Sequence, residues 1–445
     1  MSLMVWCIGG IVSACGCIAY MELGTMLPRS GGEKEYLDVS FQRPKALMPF
    51  IFCMTSIFIG GPSSSAADAV VTGTYFLYAA GDTASTGDGK TGAHTEWAQR
   101  AIAVAVVVFC TLAHGCFVKS AIRLQSALTV LKVLMLLLIV LVGFVGIAGR
   151  LHGSKPHSFT NAFQGTSTNP NSYSSALFKV FFAYAGYNSL NYSIDELKNP
   201  IHNLPRAALG GLFVTSALYI LSNVAYFSVL TPEAIGGSST AVAGVFFTAA
   251  FNETWGQRIV PVFIGLSSFG TVMCGTFSSS RVIFEAAREG YLPFGSYIGE
   301  ISRYQSPLYA LWLNCLMTVV FIVAPPPGGA YNFLIDIGGY PSWVFYGLSV
   351  VGLLLMRRTH RELARPFKSW HVANAVTIGT AVYMCIVPFI KPKSDDSSIP
   401  YWAAPLSGII SILMSCVLWY LQIVQRRGLE TSHYAKYGYP REQFV

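Results

Sequence analysis

Residues 124–149 read LQSALTVLKVLMLLLIVLVGFVGIAG, an uninterrupted apolar stretch with one charged side chain, Lys132. Roughly 20 mostly apolar residues in helical form cross the hydrocarbon of a bilayer. Lipid offers no partner to a peptide N–H or C=O, so a run of this kind reads as a spanning α-helix that bonds its own backbone. Ten more runs of the same character lie at about 2–27, 46–79, 99–118, 173–194, 205–230, 259–287, 307–325, 331–356, 372–390 and 402–424. The expected fold is therefore all-α and multi-pass, one membrane domain over 1–425. Residues 426–445 are left as a cytoplasmic tail.

Composition supports this reading. Hydrophobic residues make up 53% of the chain, charged residues 11%, and mean hydropathy is +0.50. A soluble domain carries about 25% charge, so a soluble fold is excluded. The net charge of +8 does not point to nucleic acid. The basic residues sit in short loops between apolar runs, and none interleave with exposed aromatics. All ten cysteines fall in or beside apolar runs, and none stands at metal-ligand spacing with histidine. They read as small core or lipid-facing residues, with no disulfide frame and no zinc site. No catalytic triad, nucleotide loop or cofactor motif is visible, so neither an enzyme nor a bound cofactor is expected.

Orientation follows from the loops, because Lys and Arg concentrate on the cytoplasmic side. Twenty of the 29 Lys and Arg residues lie in one alternating set of loops and seven in the other. The first set is expected to face the cytoplasm, with Met1 outside and the C-terminus inside. The sequon Asn252-Glu253-Thr254 then falls in an outside loop, while Asn191-Tyr192-Ser193 lies in a span and is a chance match. The first apolar run lacks a basic leader and is too long for a signal peptide.

Several residues break the apolar pattern. In Phe182-Ala-Tyr-Ala-Gly-Tyr-Asn-Ser-Leu-Asn191, Gly186 and the polar Asn188, Ser189 and Asn191 make a span able to unwind. A broken helix exposes backbone groups at mid-membrane and binds ions or zwitterions without a charged side chain. The alternative is a polar seam between helices. Lys132 is either a functional intramembrane charge or a side chain snorkelling to the interface near Arg123. Asp68 is a candidate partner for Lys132 or a proton-carrying group. Lys179 reads as an interfacial anchor. Gly338-Gly339-Tyr340-Pro341, after Asp336, is expected to break or kink its helix. Ser267, Ser268, Gly270 and Thr271 put small and hydroxyl groups along one span, and Trp343 and Tyr346 offer aromatic lining. Asp195 and Glu196 close a span near Arg29 and Arg206, as an inner gate of ion pairs or a solvated cluster. Pro28–Glu33 and Arg288–Pro293 read as loops or short interfacial helices.

The stretch Glu22-Leu-Gly-Thr-Met-Leu-Pro-Arg-Ser-Gly-Gly-Glu-Lys-Glu-Tyr-Leu37 resembles the amino-acid permeases of the APC superfamily. Within it the likeness is to the L-type amino acid transporter family, in its fungal methionine-permease branch. Further motifs fall in family order: Gln42-Arg-Pro-Lys45, Ala113-His-Gly115 with Arg123-Leu-Gln125, Ala162-Phe-Gln-Gly-Thr-Ser167, Asp195-Glu-Leu-Lys-Asn-Pro200, Ala287-Arg-Glu-Gly-Tyr-Leu-Pro293 and Ala324-Pro-Pro-Pro-Gly-Gly-Ala-Tyr-Asn332. The resemblance implies a LeuT-like fold of twelve helices, two inverted five-helix repeats and two extra helices. The eleven spans correspond to family helices two to twelve. The first repeat, about 1–149, is then incomplete. The second covers about 173–356 and the extra helices about 372–424. The missing helix carries the glycine-rich break that grips the substrate's amino and carboxyl groups, and an incomplete gene start is the expected explanation.

By this resemblance Phe182 is the aromatic gate over the substrate, and the backbone around Ala183, Ala185 and Gly186 meets its amino group. The family often has Gly-Gly-Trp where this chain has Ala185-Gly186-Tyr187. Phe182, Ala183, Tyr184, Ala185, Gly186, Asn188, Ser267, Thr271 and Trp343 are the candidate substrate contacts. Lys132, Asp68 and Glu196 are the candidates for coupling or gating. Lys132 matches a lysine of family helix five whose ammonium replaces sodium in some relatives. A lysine there makes sodium unnecessary or takes part in proton coupling. Animal L-type transporters bind a heavy chain through a cysteine in the loop after family helix three. Gly81–Gln99 has no cysteine, so no disulfide-linked heavy chain is expected. The expected function is alternating-access transport of a neutral L-amino acid, methionine among the candidates, across the plasma membrane. The alternative is a truncated or non-transporting nutrient receptor on the same scaffold. An ion channel is disfavoured because no repeated filter is visible.

Overall fold

Every regular element in the computed structural model is a helix, among the described residues 2–81, 93–148, 170–237, 242–251, 253–325, 330–390 and 402–424. The principal elements are α1 (Ser2–Met26), the short α2 (Glu33–Ser40), α3 (Leu47–Ala79), α4 (Ala93–Cys116), α5 (Val118–Ile147) and α6 (Pro170–Ala183). There follow α7 (Pro200–Val229), α8 (Trp255–Arg288), α9 (Leu308–Val323), α10 (Ala330–Thr359), α11 (His371–Ile386) and α12 (Ala403–Trp419). A π turn, Ser56–Gly60, sits within α3, and another, Trp255–Ile259, opens α8. Nine helices among the described residues are long and apolar enough to cross a membrane.

The apolar side chains do not all turn inward, as they would in water. Only 22% of the most apolar stretch of α5 is buried, and 11% of that of α12. Val130, Leu134, Leu141 and Phe144 of α5 stand exposed, while Leu128, Ile139, Val142 and Gly143 pack inward. An apolar yet exposed face is a lipid-facing face. The centre of the bundle is α3 against α8, where Ala66, Ala67 and Ala69 meet Val272 and Met273, all fully buried. Small residues let helix backbones approach where lipid gives no hydrophobic drive for association.

Three expectations need correction. The runs at 99–118 and 124–149 are not separated by a loop. Phe117, with φ −130° and ψ 50°, alone lies between α4 and α5, so Lys119 and Arg123 are helical. The run at 173–194 is not one helix: α6 stops at Ala183, and a 3-10 segment resumes at Ser189–Glu196. Of the break or kink expected at Gly338–Pro341, the break does not occur: α10 is helical from Ala330 to Thr359 with Pro341 inside. Proline removes one N–H donor there. The helix persists because the flanking glycines fit against Ser63 of α3 and Phe178 of α6, and Ser342 Oγ donates to the Gly338 carbonyl at 2.9 Å. α9 is shorter than the expected 307–325 because Ala324-Pro325-Pro326 cannot extend it. The 162–167 motif, Asn252 of the sequon, residues 82–92 of the cysteine-free loop, residues 326–329 and the 426–445 tail lie outside the described residues.

α5 and α7 touch at Gly143, where any Cβ would run into the Cβ and Cα of Ala225. Ser228 of α7 donates to the Gly143 carbonyl at 3.1 Å. Gly143→Leu is expected to wedge the pair apart and lower stability by about 1–3 kcal/mol, read as a lower melting temperature of the detergent-solubilised protein. Gly379→Leu, at a position with open space around it, should leave melting unchanged.

Candidate functional site at the helix break

The break after α6 is built by local sequence. Tyr184 N–H donates to the Val180 carbonyl at 3.0 Å and closes the last helical turn. Ala185 N–H donates to the Phe182 carbonyl at 3.1 Å, one residue too tight for an α-helix. Gly186 then takes φ +98°, a conformation L side chains rarely adopt. Ser189 N–H returns to the Gly186 carbonyl at 2.9 Å and starts the 3-10 segment. The Gly186 N–H and the Ala185 carbonyl make no hydrogen bond with any described residue. Both residues are exposed, whereas Tyr184 and Asn188 on either side are buried. The break thus presents an exposed donor and an exposed acceptor that can address the carboxylate and ammonium of a zwitterion.

The expected contacts divide into three groups around this point. Ala183, Ala185 and Gly186 form the break itself, with the Ala183 carbonyl held by the Tyr219 hydroxyl at 3.2 Å. Phe182 packs beside it, half-buried against the α3–α8 core. Tyr184 sits in an aromatic cluster, 6.0 Å from Trp6 and 5.3 Å from Tyr219, with its hydroxyl donating to the Trp6 carbonyl at 3.4 Å. Trp343 meets Phe181 edge-on at 4.9 Å and Tyr346 at 5.7 Å. Asn188 is turned away from the break, donating at 2.6 Å to the carboxylate of Glu33.

Lys132 does not extend to the interface. Its Nζ donates to Thr271 Oγ1 of α8 at 2.7 Å, and Thr271 donates in turn to the Ser267 carbonyl at 3.3 Å. Three expected residues are therefore joined across α5 and α8. Asp68 of α3 feels the Lys132 charge, but among the described residues no ion pair joins the two.

At the end expected to face the cytoplasm, polar fastenings cross the bundle. Glu196 pairs with Arg281 of α8 at 2.8 Å, and the guanidinium lies 4.6 Å from the Phe277 ring. Asp195 exchanges bonds with Ser30: Ser30 N–H donates to its carboxylate at 3.3 Å and Ser30 Oγ accepts from its N–H at 3.1 Å. Arg206, an expected partner, is exposed. Glu22, fully buried at the end of α1, accepts two bonds from Arg357 of α10, with Arg357 Nε at 3.0 Å. It also accepts from Ser369 N–H at 2.7 Å and Ser369 Oγ at 2.8 Å, just before α11. Lys34 of α2 pairs with Glu35 at 2.7 Å and Glu289 at 3.4 Å. Burial lowers the Lys34 pKa, but the two carboxylates outweigh it and hold it above the usual lysine value. Sequence reasoning assigned no role to Glu22, yet it is the one charge in the run Ser2–Met26. An intramembrane charge implies a partner. Glu33 falls in a stretch whose sequence reads as a loop or a short interfacial helix, and nothing local marks it as buried.

A family profile described as amino acid permease matches residues 1–420. The chain belongs to the amino acid permease family. The high-affinity methionine permease of Saccharomyces cerevisiae is 33% identical over 412 residues, covering 90% of this chain and 69% of that protein. The mouse Asc-type amino acid transporter 1 is 32% identical and covers 97% of this chain and 76% of its own length. The mouse b(0,+)-type amino acid transporter 1 is 29% identical, covering 96% and 81%. All three are permeases or transporters, and none is an enzyme. All ten cysteines of this permease are free thiols. Among the described residues no cluster of His, Cys, Asp or Glu is placed to hold a metal ion.

Removing Arg357 leaves the buried Glu22 carboxylate with Ser369 and with Arg365, whose Nε lies 3.8 Å away. Arg357→Ala is expected to cost about 3 kcal/mol, seen as a drop in melting temperature in detergent. Arg361→Ala, on the exposed surface, should leave it unchanged.

Proposed function

We propose that this amino acid permease carries a neutral L-amino acid across the plasma membrane by alternating access, with methionine as the leading substrate. The observation that carries the reading is the exposed break at Ala185-Gly186, whose Gly186 N–H and Ala185 carbonyl bond to no described residue. A zwitterion matches those groups without a buried side-chain charge. The half-buried Phe182 beside the break supplies an apolar wall, which suits a thioether or aliphatic side chain better than a charged one. The methionine permease among the relatives supports the choice of side chain.

Lys132 is assigned to coupling. Its ammonium bridges α5 and α8 through Thr271, so it senses the relative position of two helices that alternating access would move. Glu196–Arg281 is assigned to the inner gate, because it ties the 3-10 segment after the break to α8. Asp68 is assigned as an electrostatic neighbour of Lys132.

Uptake of radiolabelled methionine into cells expressing the full protein tests the reading. Saturable uptake is expected, competed by leucine and unaffected by aspartate or arginine. Absence of neutral amino-acid uptake by protein present at the cell surface would refute it. Lys132→Met is expected to lose a charge-assisted hydrogen bond of about 1.5–3 kcal/mol, which corresponds to about a tenfold or greater fall in uptake. Unchanged uptake in that variant would remove Lys132 from the mechanism.

A further inference from the structure

Two half-buried charges from different helices, Asp68 on α3 and Lys132 on α5, lie beside the break. The register of α3 against α8 fixes the height of Asp68. A Cβ on Gly275 would lie 3.3 Å from Ser65 Oγ, and one on Gly265 would lie 2.7 Å from the Phe76 ring. The two helices therefore run antiparallel, and Asp68, one turn on from Ser65, stands level with Val272. The neighbouring Thr271 holds the Lys132 ammonium at 2.7 Å. Cys274 of α8 lies in the field of both charges. Asp68 also acts on Tyr219 of α7, whose hydroxyl donates to the Ala183 carbonyl at the break at 3.2 Å. Phe182 packs against the cluster that contains Ala67, Ala69, Leu128 and Val272, which flank these groups.

Neither group is tied to a partner of opposite sign. The Asp68 carboxyl makes no hydrogen bond or ion pair with a described residue, and Thr72 Oγ1 donates to its main-chain carbonyl, at 2.9 Å. Lys132 is held by a hydroxyl and not by a carboxylate. Each nevertheless lies in the other's field. Together they sum to zero, whether the proton stands on the amine or on the carboxyl. Two further charges on the flanking spans, Lys179 of α6 and Asp336 of α10, are also opposite in sign, both exposed and within each other's field. Glu33 is sealed away from the break, fully buried and bonded to Tyr20 and Asn188. A low-dielectric site without net charge accepts a zwitterion, whose own charges cancel. It rejects a substrate with one charge in excess, because nothing inside compensates that charge.

We propose that Asp68 sets the charge specificity of the permease by balancing Lys132, so that the site takes amino acids without net charge and rejects acidic ones. The proposal rests on the transport reading above and names the residue behind its preference for neutral substrates. Asp68 acts through its charge and needs no contact with the substrate. Without that charge the Lys132 ammonium is left over, and the site favours a substrate that brings an extra carboxylate. Without the Lys132 charge the excess is negative, and the site favours a substrate that brings an extra ammonium or guanidinium. Two unit charges about 10 Å apart at an effective dielectric constant of about 20 interact strongly enough to change a binding constant about tenfold.

The test measures uptake of radiolabelled methionine, aspartate and arginine into cells expressing the full protein, each corrected for cells without it. It reads ratios, which a general loss of activity does not move. Asp68→Asn is expected to raise the aspartate-to-methionine ratio about tenfold and to leave arginine excluded. Asp68→Glu keeps the charge and should hold the wild-type ratio. Lys132→Met, which lowers methionine uptake, should raise the arginine-to-methionine ratio about tenfold. An unmoved aspartate-to-methionine ratio in Asp68→Asn at the cell surface would overturn the proposal. So would an equal rise in Asp68→Glu, because that variant removes no charge. Should Asp68→Asn fail to reach the surface, Lys132→Met decides, and an unmoved arginine-to-methionine ratio overturns the proposal. Absence of methionine uptake by wild type at the surface would instead refute the transport reading itself.

Discussion

A peptide group placed in hydrocarbon has only its own chain to bond with, and almost every feature of this permease follows from that. Long helices satisfy the backbone internally, which is why apolar runs become α1, α3, α4, α5, α7, α8, α10, α11 and α12. The same constraint gives meaning to the place where the backbone is not satisfied. Between Ala183 and Ser189 the chain leaves the helix, and the Gly186 N–H and Ala185 carbonyl bond to none of the described residues. Open backbone of that kind is tolerated at membrane depth only where it lines a cavity or meets a ligand.

Around the break, packing and polarity are segregated. The α3–α8 centre is made of alanine, valine and methionine at full burial, with Lys132 anchored to Thr271 at its edge. Most of the charge pairs that cross between elements collect at the end where Lys and Arg concentrate in the loops, while Arg100 is buried at the other end against the Val323 and Pro325 carbonyls. Glu22 with Arg357, Lys34 with Glu289, and Glu196 with Arg281 each join elements distant in sequence. Such pairs add little net stability when desolvation is counted, but breaking one is costly. They act chiefly to specify which helix ends meet. Glu33 differs from them in having hydroxyl and amide partners and, among the described residues, no ion pair.

Much of the site was legible one residue at a time. Gly186 marked the break because a helix with glycine among asparagine and serine is easily opened. Lys132 stood out as a lone charge in an apolar run. The partners were not legible. That Lys132 meets Thr271, that Glu196 meets Arg281 and that Asn188 turns to Glu33 depend on helix rotation and crossing, which hydropathy does not encode. Tyr184 and Trp343 stood out as aromatic residues, but their ring partners, Trp6 and Tyr219 for the first and Phe181 and Tyr346 for the second, come from other parts of the bundle and were not legible. The Gly338–Pro341 sequence looked like a helix breaker, and α10 persists because Ser63 and Phe178 close on its glycines.

From its sequence alone this chain was bound to be a helical membrane protein, because local hydrophobicity over about 20 residues decides whether a segment enters lipid, and that quantity needs no neighbour. The position of the break was likewise local, set by one glycine and its polar companions. Tertiary structure alone decided which charges are buried and what holds them. Glu22 and Glu33 sit eleven positions apart, one ending a span and the other in a short helix, and both are sealed from solvent. Their partners come from α10, from the residues before α11 and from the segment after the break. Burial of a charge depends on the donors gathered around it from distant parts of the chain, and only the packed bundle brings those together.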